Sequence, residues 1–239
     1  MFNIQTNTSE YKIGYIAHIK AFYELMKPRV MSLAIFTCVV GFLITPFKNV
    51  DYLFAILSII AVALGSGAAG ALNCWYEADV DSLMSRTCLR PIPTGKLTRK
   101  QALVFGTLTS FISVVALYFF SNLMAASLLA LTISFYVFVY TIWLKRKTPQ
   151  NIVIGGAAGA LPPVIGWSIA TGSVSIEPII LFLIIFIWTP SHFWALSLFK
   201  SEDYRKANIP MLPVTSGVST TKNNILIYSI LLFPVALAP

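Results

Sequence analysis

Charge is the property that this sequence has least of. Of its 239 residues only 11% are Asp, Glu, Lys or Arg, whereas 57% are hydrophobic, and the mean hydropathy is +0.78. Soluble domains carry about 25% charged residues and lack long apolar runs. The composition therefore excludes a soluble globular domain and a disordered chain, and it predicts a polytopic membrane protein.

Cysteine and acidic residues are also scarce. The three cysteines show no Cys-x-x-Cys spacing, so neither a disulfide framework nor a thiolate metal site is expected. Nine Asp and Glu stand against 17 Lys and Arg, for a formal charge of +8. In a soluble protein this excess would suggest a nucleic-acid partner. In a membrane protein it indicates topology, and no nucleic acid is expected to bind.

Long uncharged intervals divide the chain into membrane spans. A helix needs about 20 apolar residues to cross the bilayer core. The uncharged runs are 30–47, 52–76, 101–144 (two spans with a turn at Ser121-Asn122), 148–176, 178–199 and 223–239. They predict an all-α transmembrane helical bundle with six full spans and a truncated seventh. Because the last run is cut short, the sequence is expected to be incomplete at its C-terminus.

The basic residues fall almost entirely on one side of this topology. The N-terminal segment and the loops after the even-numbered spans hold 16 of the 17 Lys and Arg, and only Lys48 falls opposite. Short basic loops stay in the cytoplasm. The N-terminus and these loops are therefore expected to be cytoplasmic.

Two regions are predicted along the chain. Residues 1–27 form a cytoplasmic tail in which Ile16, Ile19, Tyr23 and Met26 recur at helical spacing. This pattern predicts an amphipathic helix at the membrane surface, with a short polar tail as the alternative. Residues 28–239 form the transmembrane domain.

Five of the nine acidic residues occur in two loops on the basic side. On a helix, Asn73, Glu77 and Asp81 fall within about 80° of one face, and Asp79 points elsewhere. Two carboxylates and an amide oxygen are hard ligands, of the kind that Mg²⁺ takes together with substrate phosphates. Ordinary surface acids are the alternative, but acids near a helix C-terminus are unfavourable without a counter-cation.

Other candidates surround this group. Arg86 and Arg90 can grip phosphate oxygens bidentately, which predicts a metal–diphosphate site. After the sixth span, Asp203 is a candidate second metal ligand on the helical face of His192, an ionisable residue within a span. The run of small residues at 65–71 either allows close helix packing or leaves room for an apolar substrate tail.

These features together resemble the UbiA-type intramembrane prenyltransferases. Within that superfamily, the segments 140–151, 154–163, 188–196 (WTPSHFWAL) and 209–213 (IPMLP) are similar to the protohaem IX farnesyltransferases, or haem O synthases. The resemblance covers about residues 20–230. It departs from the family pattern at Glu77, where Asp is usual, and at Ala78, where a basic residue is common.

The resemblance implies that a farnesyl group passes from farnesyl diphosphate to a vinyl group of haem B, giving haem O for terminal oxidases. It implies Mg²⁺ as cofactor, bound by the catalytic residues Asn73, Glu77, Asp81 and Asp203. Implied diphosphate contacts come from Tyr76, Arg86, Arg90, Lys145 and Arg146, and implied haem contacts from His192 and Trp188. The partners are these two substrates and the lipid bilayer of a bacterial inner membrane; association with haem A synthase or oxidase assembly partners is unproven.

Two other functions stay open. A UbiA-type enzyme acting on a quinone precursor or chlorophyllide shares the diphosphate chemistry, although the HFWAL and PMLP blocks argue against it. A membrane transporter would favour ionisable residues inside the spans, where this sequence has almost none.

Overall fold

The computed structural model describes residues 14–46 and 51–239, which leaves Lys12, Lys48 and the start of the predicted N-terminal tail outside the described residues. Within those ranges the chain forms helices and no strand, which confirms the all-α prediction. The helices are α1 (Tyr15–Leu25), α2 (Pro28–Leu43), α3 (Tyr52–Tyr76), α4 (Ala78–Leu83), α5 (Arg99–Phe120), α6 (Leu123–Ser134, continuing as a π-helix over Phe135–Leu144), α7 (Asn151–Ala160), α8 (Pro162–Thr171), α9 (Ile176–Phe199), α10 (Ser201–Lys206), α11 (Leu212–Thr215) and α12 (Gly217–Ala236).

Five helical units of the described chain are long and apolar enough to cross a membrane, as expected of an integral membrane protein. A sixth results if α1 and α2, which meet at 53°, count as one bent span. The predicted seventh span corresponds to α12, which does not reach the same length of apolar helix because its first turns carry residues such as Lys222 and Asn223. Six crossings therefore agree with the upper count, and the seventh is not confirmed.

Local signals in the sequence set the helix starts. The Asp51 side chain accepts a hydrogen bond from Leu53 N at 2.9 Å and caps α3. Thr98 and Gln101 form a capping box at the start of α5. Pro28 stands at the first position of α2, where a missing N–H costs nothing because that group has no helical partner.

Close packing around α3 organises the bundle. α3 lies against α2, α5 and α6, and α2 lies against α8. A Cβ atom on Gly65 would fall 2.9 Å from Leu129 Cδ1, and one on Gly106 would fall 2.7 Å from Leu72 Cγ. The small residues of α3 thus allow its neighbours to approach closely, which confirms the packing interpretation for this face.

α1 presents two different faces. Ala21 and Leu25 are buried against the bundle, and Met26 packs on α3. The rest of the predicted apolar stripe faces outward: Ile16 is 83% exposed and Tyr23 is 55% exposed. An exposed apolar face suits a helix at a membrane surface, and that location stays a prediction.

The loops divide between the two ends of the bundle. At one end, the turn between α5 and α6 lies against the end of α8, where Asn122 Nδ2 donates to Ser168 O at 2.8 Å. At the opposite end meet the elbow between α1 and α2, the C-termini of α3 and α6, and α4. We call it the polar end, and it is built around Lys27, Asn73 and Glu77. Successive membrane-crossing helices are joined at alternate ends of a bundle, so this division of the loops agrees with six crossings.

Candidate active site

Three oxygen-bearing side chains form a buried row at the polar end: Asn73, Glu77 and Asp81, which are 2%, 1% and 2% exposed. α3 ends at Tyr76 and α4 begins at Ala78, so the helix breaks at Glu77 instead of running on to Asp81. Backbone hydrogen bonds from Glu77 N to Asn73 O (3.0 Å) and from Asp81 N to Glu77 O (2.8 Å) bridge the break. The predicted succession at i, i+4 and i+8 is therefore kept.

Basic residues neutralise both carboxylates of the buried row. Arg90 Nη1 donates to Asp81 Oδ1 and Oδ2 at 2.8 and 2.7 Å. Lys145 Nζ lies 2.5 Å from each carboxylate oxygen of Glu77, with hydrogen-bond geometry to Oε2 only. Glu77 Oε1 is buried and has no hydrogen-bond donor among the described residues. Two of the five predicted diphosphate-binding residues thus contact the predicted metal ligands.

Asn73 completes the row through two contacts that sequence reasoning missed. Lys27 Nζ donates a hydrogen bond to Asn73 Oδ1, and Asn73 Nδ2 donates to Thr141 Oγ1 at 2.9 Å. Thr141 is fully buried, so both ends of the Asn73 amide are satisfied inside the protein. In the sequence Lys27 is one of several basic residues of the N-terminal segment, and no local pattern distinguishes it from its neighbours.

A π-helical segment at the end of α6 positions Lys145. Lys145 N donates to Tyr140 O at 2.9 Å, the i→i+5 pattern of a π-helix. This wider turn holds Lys145 Nζ 5.8 Å from the centroid of the Tyr140 ring. π-helical turns are rare and occur frequently at functional sites. The apolar run at 135–144 predicts a membrane helix but carries no signal for the π geometry.

Asp79 faces away from the buried row, as predicted. Arg146 donates to its two carboxylate oxygens at 2.9 and 2.8 Å. These hydrogen bonds lower the pKa of Asp79 and raise the pKa of Arg146. Arg146 also lies over the Tyr76 ring, 5.2 Å from its centroid. Arg146 and Tyr76, both predicted to bind diphosphate, therefore lie side by side, outside the row itself.

Asp203 is held separately from the row. It accepts a hydrogen bond from Ser85 Oγ at 2.5 Å, and this bond lowers the pKa of Asp203. The helical face expected to join it to His192 is interrupted at Lys200, between α9 and α10. In the described part of the chain no three Asp, Glu, His or Cys side chains gather into a metal-binding group. The metal role of Asp203 stays a prediction.

Arg86, His192 and Trp188 complete the predicted set. Arg86 is exposed and forms no ion pair with the residues that the structure describes. His192 stacks on Trp188 one turn earlier in α9, with ring centroids 4.3 Å apart and planes 18° apart. Among the hydrogen bonds of the described residues, none joins either ring to the buried row, and the haem contact of the pair stays a prediction.

An apolar cavity of about 120 Å³ extends from the polar end into the bundle. Met26 and Lys27 of the α1–α2 elbow lie on its wall, and α2, α3, α6, α7 and α8 supply the rest, mostly as aliphatic or small side chains. Gly70 and Gly159 line it, and a Cβ on Gly159 would meet no atom within 4 Å. Ser66, Ala69 and Gly70 of the small-residue run line the cavity, so this face of α3 leaves open space, and its use by an apolar tail stays a prediction.

The donor chemistry of the buried row suits a magnesium ion. Its donors are one amide oxygen and two carboxylates, the hard oxygen ligands that Mg²⁺ prefers. Each is already in contact with an ammonium or guanidinium group, which shows that the row attracts positive charge.

Relatives with assigned names match most of the chain. A protoheme IX farnesyltransferase of Pelagibacter ubique is 67% identical over 217 residues, which make up 91% of this chain and 71% of the relative. A protoheme IX farnesyltransferase of Ehrlichia ruminantium (strain Welgevonden) is 56% identical over 236 residues, 99% of this chain and 79% of the relative.

Solved structures show the same fold at low identity. A UbiA homologue from Archaeoglobus fulgidus bound to DMAPP and Mg²⁺ superimposes with a TM-score of 0.75 at 18% identity, covering 90% of this chain and 76% of that one. A digeranylgeranylglyceryl phosphate synthase gives a TM-score of 0.73 at 20% identity, over 91% and 76% of the two chains. The sequence model of the family described as "UbiA prenyltransferase family" matches residues 34–239. With that match and relatives of such high identity, this chain belongs to the UbiA prenyltransferase family.

Proposed function

We propose that this protein transfers the farnesyl group of farnesyl diphosphate to a vinyl group of haem B, forming haem O and releasing diphosphate. The proposal rests on one observation, that a charged layer lies directly next to the apolar cavity. The charged layer consists of the buried row from Asn73 to Asp81 and the cations that contact it. A prenyl diphosphate is divided in the same way into a charged head and an apolar tail. The names of relatives at 54–67% identity support haem B as the acceptor.

The charged layer is suited to a diphosphate head group. Arg90 and Lys145 neutralise the row, and their side chains can turn to phosphate oxygens when another cation occupies it. Arg86 and Arg146 stand at the rim, where they can contact the same phosphates. Asn73, Glu77 and Asp81 would hold Mg²⁺, with Asp203 as a further ligand, and the ion would supply Lewis-acid neutralisation of the leaving diphosphate.

The transfer begins when the bond between C1 and the diphosphate oxygen breaks, and its electron pair leaves with the diphosphate. The vinyl π-electrons of haem B then form the new carbon–carbon bond to C1. Water adds to the cation left beside the porphyrin and loses a proton, which gives the hydroxyethylfarnesyl arm. The cavity keeps water from the farnesyl tail, and Tyr136 presents an aromatic ring there that favours nearby positive charge.

Haem B is proposed to contact the partly exposed surface of α9. Trp188 is 41% exposed and stacks on His192, so the pair presents aromatic surface on the outside of α9. We further propose that the polar end faces the cytoplasm of a bacterial inner membrane, since nearly all basic loop residues lie there.

The deciding experiment incubates the detergent-purified chain with haem B, farnesyl diphosphate and Mg²⁺ and separates the pigments by liquid chromatography and mass spectrometry. Haem O is the expected product. Glu77→Gln should abolish it, whereas Glu177→Gln, an exposed acid at the opposite end of the bundle, should not change it. Absence of haem O, together with prenylation of an aromatic acid or chlorophyllide supplied in a parallel incubation in place of haem B, would overturn the proposal.

A further inference from the structure

Lys27 occupies an unusual backbone position at the elbow between α1 and α2. Its φ and ψ of 54° and 64° lie in the left-handed region, which is unfavourable for a residue other than glycine. Pro28 follows, and a proline disfavours the right-handed helical conformation of the residue before it. The sequence therefore ends α1 here, and the left-handed residue redirects the chain into α2.

The elbow packs against two glycines of α3. A Cβ on Gly67 would fall 2.3 Å from Met26 Cε, and one on Gly70 would fall 3.2 Å from Met26 O and 3.6 Å from Lys27 Cδ. The stem of Lys27 thus crosses α3 at Gly70, one turn before Asn73. A side chain at Gly67 would displace the Met26 side chain from this contact.

The Lys27 ammonium group donates a hydrogen bond to Asn73 Oδ1, the first oxygen of the buried row. Asn73 Nδ2 is committed to Thr141 Oγ1 at 2.9 Å, so Asn73 Oδ1 turns toward Lys27 Nζ. All three oxygen donors of the row therefore contact a cation of the chain itself: Lys27 on Asn73, Lys145 on Glu77 and Arg90 on Asp81.

Lys27 differs from the other two cations because it also reaches the cavity. Of the described residues that line this cavity, Lys27 is the only charged one. Its ammonium group therefore lies at the boundary between the charged layer and the apolar space. If a prenyl diphosphate binds across that boundary, its bond between C1 and the α-phosphate oxygen lies at the depth of the Lys27 ammonium group.

Building on the proposed function, we propose that Lys27 is a catalytic residue that leaves Asn73 and binds the α-phosphate of the prenyl diphosphate when metal and substrate enter together. The electron pair of the breaking C1–O bond then arrives on an oxygen next to the ammonium group, which stabilises it without proton transfer. Before substrate arrives, the same group occupies Asn73 Oδ1 and opposes binding of free Mg²⁺.

Lys27→Met should change the affinities for two ligands in opposite directions, which the loss of a purely structural contact would not do. Isothermal titration calorimetry of Lys27→Met measures the affinity for Mg²⁺ alone, and then for farnesyl thiodiphosphate, an unreactive substrate analogue, with Mg²⁺ saturating. Loss of one charge-assisted hydrogen bond should weaken analogue binding about 10- to 100-fold. Affinity for Mg²⁺ alone should rise, because Asn73 Oδ1 becomes free.

Two further variants serve as controls. Lys27→Arg keeps the positive charge and should bind the analogue within about threefold of wild type, a difference of less than 1 kcal/mol. Lys20→Met removes an exposed lysine of α1, about two helical turns before Lys27, and should leave both affinities unchanged.

Several outcomes would overturn the inference. Unchanged analogue binding in Lys27→Met would show that Lys27 does not contact the substrate. Weaker binding of both Mg²⁺ and the analogue in Lys27→Met would assign Lys27 a purely structural role. An equal loss of analogue affinity in Lys27→Arg would do the same. Neither measurement involves haem, so failure here is distinguishable from failure of the proposed acceptor, which the haem O assay reports.

Discussion

Arg90 binds Asp81 through a single nitrogen shared by both carboxylate oxygens, and this contact closes the loop after α4 back onto the buried row. The Asp81 side chain is 4% exposed and that of Arg90 is 21% exposed, so water screens the pair weakly. The pair supplies both halves of a metal–diphosphate site, since the carboxylate suits the metal and the guanidinium group suits the phosphate.

Asp81→Asn is expected to lower the rate of haem O formation by at least about 100-fold, because the amide cannot neutralise a metal ion and leaves Arg90 without its counter-charge. Steady-state kinetics in detergent test this. Glu177→Gln is the matched control, an acid-to-amide change far from the polar end. A rate within threefold of wild type would remove Asp81 from the proposed site.

Gly159→Leu is expected to shorten the prenyl chain that the enzyme accepts. The new side chain enters open space in the cavity, so folding should be little affected while the end of a farnesyl tail is excluded. Comparison of kcat/KM for geranyl and farnesyl diphosphates should show at least about a tenfold shift toward geranyl, since a few buried methylenes are worth about that much. Ala17→Leu, on the exposed face of α1, should leave the ratio unchanged; an unaltered ratio in Gly159→Leu would show that the tail lies elsewhere.

Gly166→Ala is expected to destabilise the protein where α2 crosses α8. A Cβ there would fall 1.9 Å from Cys38 O, a backbone atom that cannot move aside, so the two helices must separate. Overpacking of this kind costs about 1–3 kcal/mol or more. Thermal unfolding in detergent should show a clear decrease in Tm relative to Gly159→Ala, where the same methyl group meets nothing within 4 Å. Equal melting temperatures would contradict the close crossing.

The ion pair of Asp79 and Arg146 predicts a dependence of stability on acid pH. The Arg146 hydrogen bonds lower the pKa of Asp79 in the folded protein. Its contribution to stability is therefore fully present above the ordinary aspartate pKa of about 3.9 and is lost as the pH falls through the lowered folded value. Tm measured from pH 6 to pH 3 should fall more steeply in wild type than in Asp79→Asn. Parallel curves would show that the pair contributes nothing.

Much of the architecture follows from local features of the sequence. The helical spans follow from apolar runs bounded by charges, because a helix satisfies its own backbone hydrogen bonds within the segment. The shared face of Asn73, Glu77 and Asp81 follows from helical periodicity, and it survives the break at Glu77 because the backbone hydrogen bonds continue across it. These predictions hold because they depend on residues within a few turns of one another.

The partners of those residues depended on the tertiary structure. Lys27 is 46 residues from Asn73, and Lys145 is 68 residues from Glu77, so no periodicity relates them. Their contacts result from the glycine surface of α3 that admits the α1–α2 elbow, and from the π-turn that rotates Lys145 and Thr141 inward. The sequence by itself determined a membrane helix bundle with an acidic row at one end. Only the packing of the helices decided which cations meet that row and where the apolar cavity opens beneath it, because both depend on how closely distant segments approach.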